Sequence, residues 1–347
     1  MSNEKIISFG VNDNKLYYDF KKDSYRKLKT LGEGSFGKVI LVEKVGSSGQ
    51  DASNYFALKI SKRFKKEKKN IEENATKEEE KPKELNFIEL RELVIMKKLN
   101  HQNTMTLKDY KFCRDDREIW ILMDYFPIDL GNFFSQNKNN KKVMNEKFFK
   151  NIAHQILTGL NYLHQNKIMH RDLKLENILY DEDKNIVKIT DFGLSRLFDY
   201  DISTQYTNVG TFPYKPPELL LGFTHYSTAF DIWSAGCILA EIYIGEHLFG
   251  ENNTLGVIKL MYHILGPFNE TVLPGFKTFP SSKILENESL QNIEVIGLID
   301  YIKPKKQFEF EDGKFYDLIK KMICIDPTKR ISAKECLNHP WFSNMDI

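Results

Sequence analysis

The period of the apolar residues changes part-way along this chain, and that change limits the folds open to it. From Tyr25 to Lys44 short runs of Val, Ile and Leu surround a cluster of glycines, a strand pattern. Tyr55–Ile60 and Ile119–Met123 repeat that pattern, the second too short for a helix and apolar enough for a buried strand. Between them Leu85, Ile88, Val94 or Ile95, and Leu99 fall near helical spacing, with Leu90, Leu93 and Met96 widening the apolar face. From Phe148 onward the period is mostly helical, with Phe149, Ile152, Ile156, Leu160 and Leu163 in one stripe that reads as core. Strands first and helices afterwards predict an α+β chain of two unlike lobes. Asp124–Pro127 is the expected crossing, because Pro127 resists continuing a sheet.

Two stretches fall outside this scheme. Residues 1–24 are polar with a few aromatics (Tyr17, Tyr18, Phe20) and read as an extension that packs on the fold. Residues 62–85 hold eight Lys, one Arg and seven Glu, so 16 of these 24 are charged, and they read as a solvated insertion without a core of its own. The run Lys62–Lys69 also fits a nuclear-import or docking patch.

The 347 residues carry 50 Lys+Arg against 48 Asp+Glu, a balance that argues against a dedicated nucleic-acid binder. The richest apolar run, Ala235–Ile244, is broken by Glu241 and too short to span a membrane. Residues Met1–Glu4 lack the pattern of a secretory signal or a myristoyl acceptor, and Asn344–Ile347 hold no prenyl-accepting Cys. The four cysteines (Cys113, Cys237, Cys324, Cys336) are too scattered for a metal knuckle or a disulfide framework. The expectation is a soluble intracellular protein of the cytoplasm, the nucleus or both, with no nucleic-acid or membrane partner.

The residues able to do chemistry come in order. Gly32-Glu33-Gly34-Ser35-Phe36-Gly37 has the spacing of a phosphate-binding loop, and alone also fits a dinucleotide turn or any Gly-rich turn. Because Val39–Val42 continues as a strand rather than a helix, the loop is a hairpin whose backbone can approach phosphate oxygens. Lys59 ends the next apolar strand, and the following helix offers Glu92, a carboxylate able to hold that ammonium against two phosphates. His170-Arg171-Asp172-Leu173-Lys174-Leu175-Glu176-Asn177 then precedes Asp191-Phe192-Gly193, with Asp191 fourteen residues beyond Asn177. Asn177 and Asp191 are hard oxygen donors suited to Mg2+ on a nucleotide, and Asp172 can take a hydroxyl proton.

In these motifs the chain resembles the eukaryotic protein kinases from about Tyr25 to Phe342. The resemblance implies a bilobal kinase fold: a small β-rich N-lobe with one key helix over 25–123, a hinge over 124–127 and a larger, mainly helical C-lobe over 128–342, followed by a tail at 343–347. It implies ATP and Mg2+, with Lys59 on the phosphates, Glu92 orienting it, Asn177 and Asp191 on the metal, Asp172 positioning the hydroxyl and Lys174 neutralising the migrating phosphoryl group. Leu31, Gly32, Gly34, Gly37, Val39, Ala57, Lys59, Met123, Asp124, Phe126 and Leu179 are the implied ATP contacts. Glu218, Arg330 and Asp231 are implied structural ties. Lys174 and Thr211 match the Ser/Thr-specific pattern, so protein Ser/Thr hydroxyls are the expected acceptors. A pseudokinase scaffold is the rival reading, and retention of Lys59, Asp172 and Asp191 argues against it; the activation segment from Asp191 to Glu218 argues against a small-molecule kinase.

Within the kinases the chain is most similar to the cyclin-dependent group and its mitogen-activated relatives. Leu219–Gly222, Ile264–Pro267 and the cyclin-contacting pattern of Phe87–His101 carry this likeness. It implies a cyclin-like activator, an upstream activating kinase, and a phosphate-gathering set of Arg91, Arg171 and Arg196. Thr207 is the expected activation phosphosite, with Tyr206 and Thr204 as alternatives. Gly210 and Lys215 stand where the group usually has Val and Arg, which puts proline-directed specificity in doubt. Phe36 replaces the loop tyrosine that is an inhibitory phosphosite in many members, leaving Ser35 modifiable.

Overall fold

A six-stranded antiparallel sheet forms most of the first unit of the computed structural model. The structure describes residues 17–34, 37–46, 54–61, 87–113, 118–138, 140, 145–198, 209–224, 227–308 and 313–343. Among these the chain divides into two compact units: the described residues up to Leu99 with Met105–Phe126, and Asn100–Thr104 with the described residues from Pro127 onward.

In the first unit, β1 (Tyr17–Asp19), β2 (Ser24–Glu33), β3 (Gly37–Lys44), β4 (Tyr55–Ser61), β5 (Leu107–Cys113) and β6 (Glu118–Asp124) pair in the order β1-β2-β3-β4-β6-β5. One helix, α1 (Phe87–Met96), accompanies them; Leu85 lies outside the described residues. Alternation places Ile40, Val42, Leu58, Ile60, Trp120 and Leu122 in one core cluster. Tyr18 and Phe20 join it, Tyr18 edge-on to Trp120 at 4.9 Å. The sheet therefore begins at Tyr17, inside the stretch read as an extension, and its anchors are aromatic rings rather than an aliphatic run.

Helices build the second unit. After β7 (Ile128–Asp129), α2 (Leu130–Asn137) starts where the Asp129 side chain accepts from the Asn132 amide at 2.9 Å, an N-cap bond. In α3 (Glu146–Gln165) the predicted stripe is buried throughout, opposite a charged face. Then come β8 (Ile168–Met169), β9 (Ile178–Asp181), β10 (Ile186–Ile189) and β11 (Arg196–Leu197), in sheets ordered β10-β9-β7 and β11-β8. The short α4 (Pro217–Leu220) leads to α5 (Ala229–Ile244), apolar on nearly all sides and buried on nearly all sides. Gly245 ends α5 at φ +77°, a left-handed C-cap. Among the helices that follow are α6 (Thr254–Leu265), α7 (Leu298–Ile302), α8 (Gly313–Met322) and α9 (Ala333–Leu337). Phe149, Phe315 and Trp341 pack edge-on or tilted at 5.0–5.5 Å where α3, α8 and the C-terminal turn meet.

A buried ion pair ties this unit over a long stretch of sequence. Arg330 donates to both oxygens of Glu218 at 2.9 and 3.1 Å, and also to the carbonyls of Ala229 and Cys324 at 2.8 and 2.9 Å. Both side chains are essentially inaccessible. Every donor the guanidinium spends here lands on an acceptor, the condition under which a buried pair is tolerated. Removing one partner strands the other: Glu218→Ala should lower stability by about 3–5 kcal/mol. The check is urea unfolding followed by tryptophan fluorescence, since the Trp233 ring lies 5.0 Å from the Arg330 guanidinium. The paired change Glu218→Leu with Arg330→Met should cost less than either single loss.

Candidate active site

The Gly-rich turn joins β2 to β3, with Gly34 donating to the Gly37 carbonyl at 2.9 Å. Its glycines serve different ends. A Cβ at Gly37, where φ is +153°, would fall 2.2 Å from the Ile60 carbonyl oxygen, so packing against β4 excludes a side chain. At Gly32 and Gly34 a Cβ would meet open space, leaving backbone that a phosphate can approach.

On the neighbouring strand, Ala57 faces Leu41 and Met123 in register, and Lys59 faces Val39 and Ile121. The Lys59 ammonium bonds both Glu92 oxygens at 2.7 Å. Glu92 is buried on α1 while Lys59 keeps some exposure, so the carboxylate holds the cation and leaves it reachable. Leu31 and Val39 sit on the hairpin strands, and Asp124 ends β6, where its side chain pairs with Lys108 at 2.9 Å. Phe126 closes this unit's chain segment.

The second unit carries the loop from His170 to Asn177, and a buried carboxylate shapes it. Asp231, in the first turn of α5, accepts from the His170 amide at 2.9 Å, the Arg171 amide at 2.8 Å and His164 Nε2 at 2.9 Å. Full burial pushes the Asp231 carboxyl upward, but the His164 hydrogen bond, the attraction of the His164 ring and the Arg171 amide outweigh it and hold it below the usual carboxylate range. Those amides matter because Arg171 has φ +69°, a left-handed conformation that a bulky residue keeps only when its surroundings impose it. Arg171 Nε also donates to the Leu194 carbonyl at 2.7 Å, and Ser195 Oγ to the His170 carbonyl at 3.1 Å. His170 Nε2 donates to the Thr190 carbonyl at 2.8 Å, which leaves Nδ1 to accept from the Asp172 amide at 3.3 Å.

Around Asp172 three polar side chains converge. Thr211 Oγ1 donates to Asp172 Oδ1 at 2.9 Å, and Lys174 Nζ lies 3.4 Å from Thr211 Oγ1 and 3.5 Å from Asp172 Oδ2. Asn177 Nδ2 donates to the Asp172 carbonyl at 2.8 Å and to Oδ2 at 3.3 Å. Orienting the amide nitrogen this way presents Asn177 Oδ1 as the outward acceptor. The Asn177 carbonyl accepts from the Thr190 amide at 3.0 Å, next to Asp191, itself left-handed at φ +64°. This donor set of one amide and one carboxylate suits Mg2+, which takes few protein ligands and completes its shell with phosphates and water. Among the described residues no three His, Cys, Asp or Glu side chains gather as a protein-only metal cage.

The expected contacts thus fall into two groups. Leu31, Gly32, Gly34, Gly37, Val39, Ala57, Lys59, Glu92, Met123, Asp124 and Phe126 belong to the first unit; Asp172, Lys174, Asn177, Leu179 on β9, Asp191 and Thr211 belong to the second. Arg91 is on α1, Arg171 in the catalytic loop and Arg196 on β11. Thr204, Tyr206 and Thr207 lie outside the described residues, as do Ser35, Phe36 and the charged stretch 62–85. Among the described residues no helix is long and apolar enough to cross a membrane. His164 was not anticipated: its contact with Asp231 spans 67 residues and leaves no mark in local spacing.

Comparisons with known proteins agree with this geometry. The model of the protein kinase domain matches residues 25–342. The chain is 32% identical over 321 residues to a probable cyclin-dependent kinase 10 of Dictyostelium discoideum, covering 92% of this chain and 79% of that one. It is 30% identical to cyclin-dependent kinase 1 of Encephalitozoon cuniculi, covering 94% and 98%, and 32% identical to a probable CTD kinase subunit alpha homolog of the same organism, covering 93% and 85%. Among solved structures, one chain of the yeast RNA Pol II CTD kinase CTDK-1 complex superposes with a TM-score of 0.73 at 28% identity, covering 92% of this chain and 93% of that one. With the sheet unit, the helical unit and the catalytic loop in place, the chain belongs to the protein kinase family as a serine/threonine kinase of the cyclin-dependent type.

Proposed function

We propose that Asp172 is the residue around which this kinase transfers the γ-phosphoryl group of ATP to Ser or Thr hydroxyls of proteins. The observation that carries this reading is the contact of one carboxylate with a hydroxyl, an ammonium and an amide: Thr211, Lys174 and Asn177. Asp172 Oδ2 accepts the incoming hydroxyl's proton as its oxygen bonds the γ-phosphorus and the bond to the β-phosphate oxygen breaks, releasing ADP. Lys174 sits beside the same oxygen, where it offsets charge on the migrating group. Thr211 holds Oδ1 and thereby fixes the carboxylate's rotation. Lys59, gripped by Glu92, meets the α- and β-phosphates, and Asn177 with Asp191 would hold Mg2+, which supplies charge neutralisation on the phosphates when bound. Leu31, Val39, Ala57, Met123, Asp124, Phe126 and Leu179 are the proposed adenine and ribose contacts.

Regulation follows the same resemblance. Arg91, Arg171 and Arg196 are the proposed acceptors of a phosphate on Thr207, since Arg forks order a loop by charge-assisted hydrogen bonds. A cyclin-type partner on α1 is proposed from the cyclin-dependent relatives, and residence in the nucleus, the cytoplasm or both goes with them. Substrate choice turns on Gly210, which has φ +76°, with Lys215 Cγ 3.8 Å from the place a Cβ would occupy. Glycine takes that left-handed conformation without steric strain, so the turn can hold it with Lys215 where the group usually has Arg.

Three measurements test these assignments. Asp172→Asn should lower kcat about 100- to 10,000-fold in a radiolabelled-phosphate transfer assay with nucleotide affinity kept; full activity would remove Asp172 from its role. Thr207→Ala should lower activity while Tyr206→Phe and Thr204→Ala keep it, and equal activity of the phosphorylated and unphosphorylated forms would refute the switch. A degenerate peptide array, with RNA Pol II CTD repeats included because two relatives are named for that domain, should select proline after the acceptor. Indifference at that position would mean that Gly210 and Lys215 have relaxed it.

A further inference from the structure

One polar cluster outside the assigned residues touches the catalytic turn. Tyr214 Oη donates to Glu241 Oε2 at 2.6 Å, and His247 Nδ1 lies 2.8 Å from Glu241 Oε1. The carboxylate therefore spends one oxygen on the phenol and the other on the imidazole. Tyr214 is 3% exposed and the Glu241 side chain 12%, whereas the His247 side chain is 45% exposed. A carboxylate so far from water needs a cation, and the phenol supplies a hydrogen bond without charge. His247, when protonated, is that cation. It follows α5 directly, where the negative end of the helix dipole also favours an imidazolium.

The cluster reaches the reacting groups through one turn. Tyr214's amide donates to the Thr211 carbonyl at 3.0 Å, and its own carbonyl accepts from Ser234 Oγ at 2.9 Å. Thr211 in turn donates to Asp172. A contact path thus runs from a half-exposed imidazole through Glu241, Tyr214 and Thr211 to the proposed proton acceptor. Neither His247 nor Glu241 belongs to a motif that marks the kinase site.

We propose that His247 is a positioning residue for phosphoryl transfer: as the imidazolium it fixes Glu241, and through Tyr214 it holds the Thr211–Tyr214 turn against Asp172. The inference rests on the roles assigned above to Asp172 and Thr211.

The charged and titratable groups facing His247 are Glu241, Tyr214 and, at longer range, Glu176 of the catalytic loop; neighbouring Glu246 is paired with Lys305 at 2.6 Å. The Glu241 hydrogen bond raises the His247 pKa above the ordinary value; burial opposes it, and the charges of Glu241 and Glu176 add to the rise. Burial first and Glu241 second hold the Tyr214 phenol far above its usual range, so it stays a donor. The sign follows: the contribution of charged His247 is complete below about pH 6.5 and fades as pH rises through the elevated folded value.

The test is the pH profile of peptide phosphorylation by active full-length kinase, with Asp172→Asn as the blank. Wild type should lose peptide kcat/KM on an alkaline limb set by His247, mainly through peptide KM, with KM for ATP unmoved. His247→Gln should abolish that limb and lower kcat/KM at pH 6.5 about three- to tenfold. His247→Lys, which keeps a cation, should recover most of the loss without the limb. A wild-type alkaline limb unchanged in His247→Gln would overturn the proposal. So would an NMR titration of wild-type His247 at or below the ordinary histidine value, a reading that needs no folded variant. Absence of any transfer above the Asp172→Asn blank would instead overturn the catalytic roles on which the inference stands.

Discussion

The catalytic loop depends on the carboxylate of Asp231. A loop that must present Asp172, Lys174 and Asn177 toward one point cannot do so with relaxed backbone throughout, and Arg171 carries the left-handed cost. Asp231 answers that cost with three hydrogen bonds, two of them from the amides of the strained residue and of the residue before it. Because α5 is a rigid, fully packed helix, its first turn is a fixed point from which the loop is suspended. Strain at one residue is thereby converted into a single geometry for its neighbours, as preorganised catalysis needs.

The other charged contacts repeat the same logic at different depths. Glu92 is buried and Lys59 partly open, so the pair fixes a cation and leaves it reachable. Glu218 and Arg330 are both sealed, with each donor matched, and serve only to tie α4 to the C-terminal helices. Glu241 is the most open of the three, shared by a buried phenol and a half-exposed imidazole, so it can respond to solvent. Burial sorts the four carboxylates into anchor, holder, tie and sensor more clearly than residue type does.

How much of this was legible in the sequence depends on the range of the contact. The α3 stripe, the β2–β3 hairpin and the strand bearing Lys59 follow from local period, and the structure has them where the pattern puts them. Strand β5 was not foreseen, because Leu107–Cys113 mixes Lys and Asp among its apolar residues and shows no clean alternation. Strand β1 was read as part of an extension, since Tyr18 and Phe20 are flanked by polar residues and find their partner, Trp120, only in three dimensions. In the site, the order of Lys59, Glu92, Asp172, Asn177 and Asp191 could be read from motifs. The supports could be read only in part. Asp231 follows from resemblance, while His164 meets Asp231 across 67 residues and Tyr214 meets Glu241 across 27, with no spacing rule to announce them.

The central claim is that a buried carboxylate imposes the geometry of the catalytic loop. Replacing Asp231 by Asn keeps the size of the side chain but turns one of its two acceptor oxygens into a donor, which then opposes either the Arg171 amide on Oδ1 or the His170 amide on Oδ2. The most direct measurement is kcat for phosphoryl transfer by Asp231→Asn, alongside circular dichroism to follow the helical content. The account predicts a fall of about 100-fold with the helices intact, since a misplacement of about 1 Å is enough for that loss. Wild-type kcat in the folded variant would contradict it.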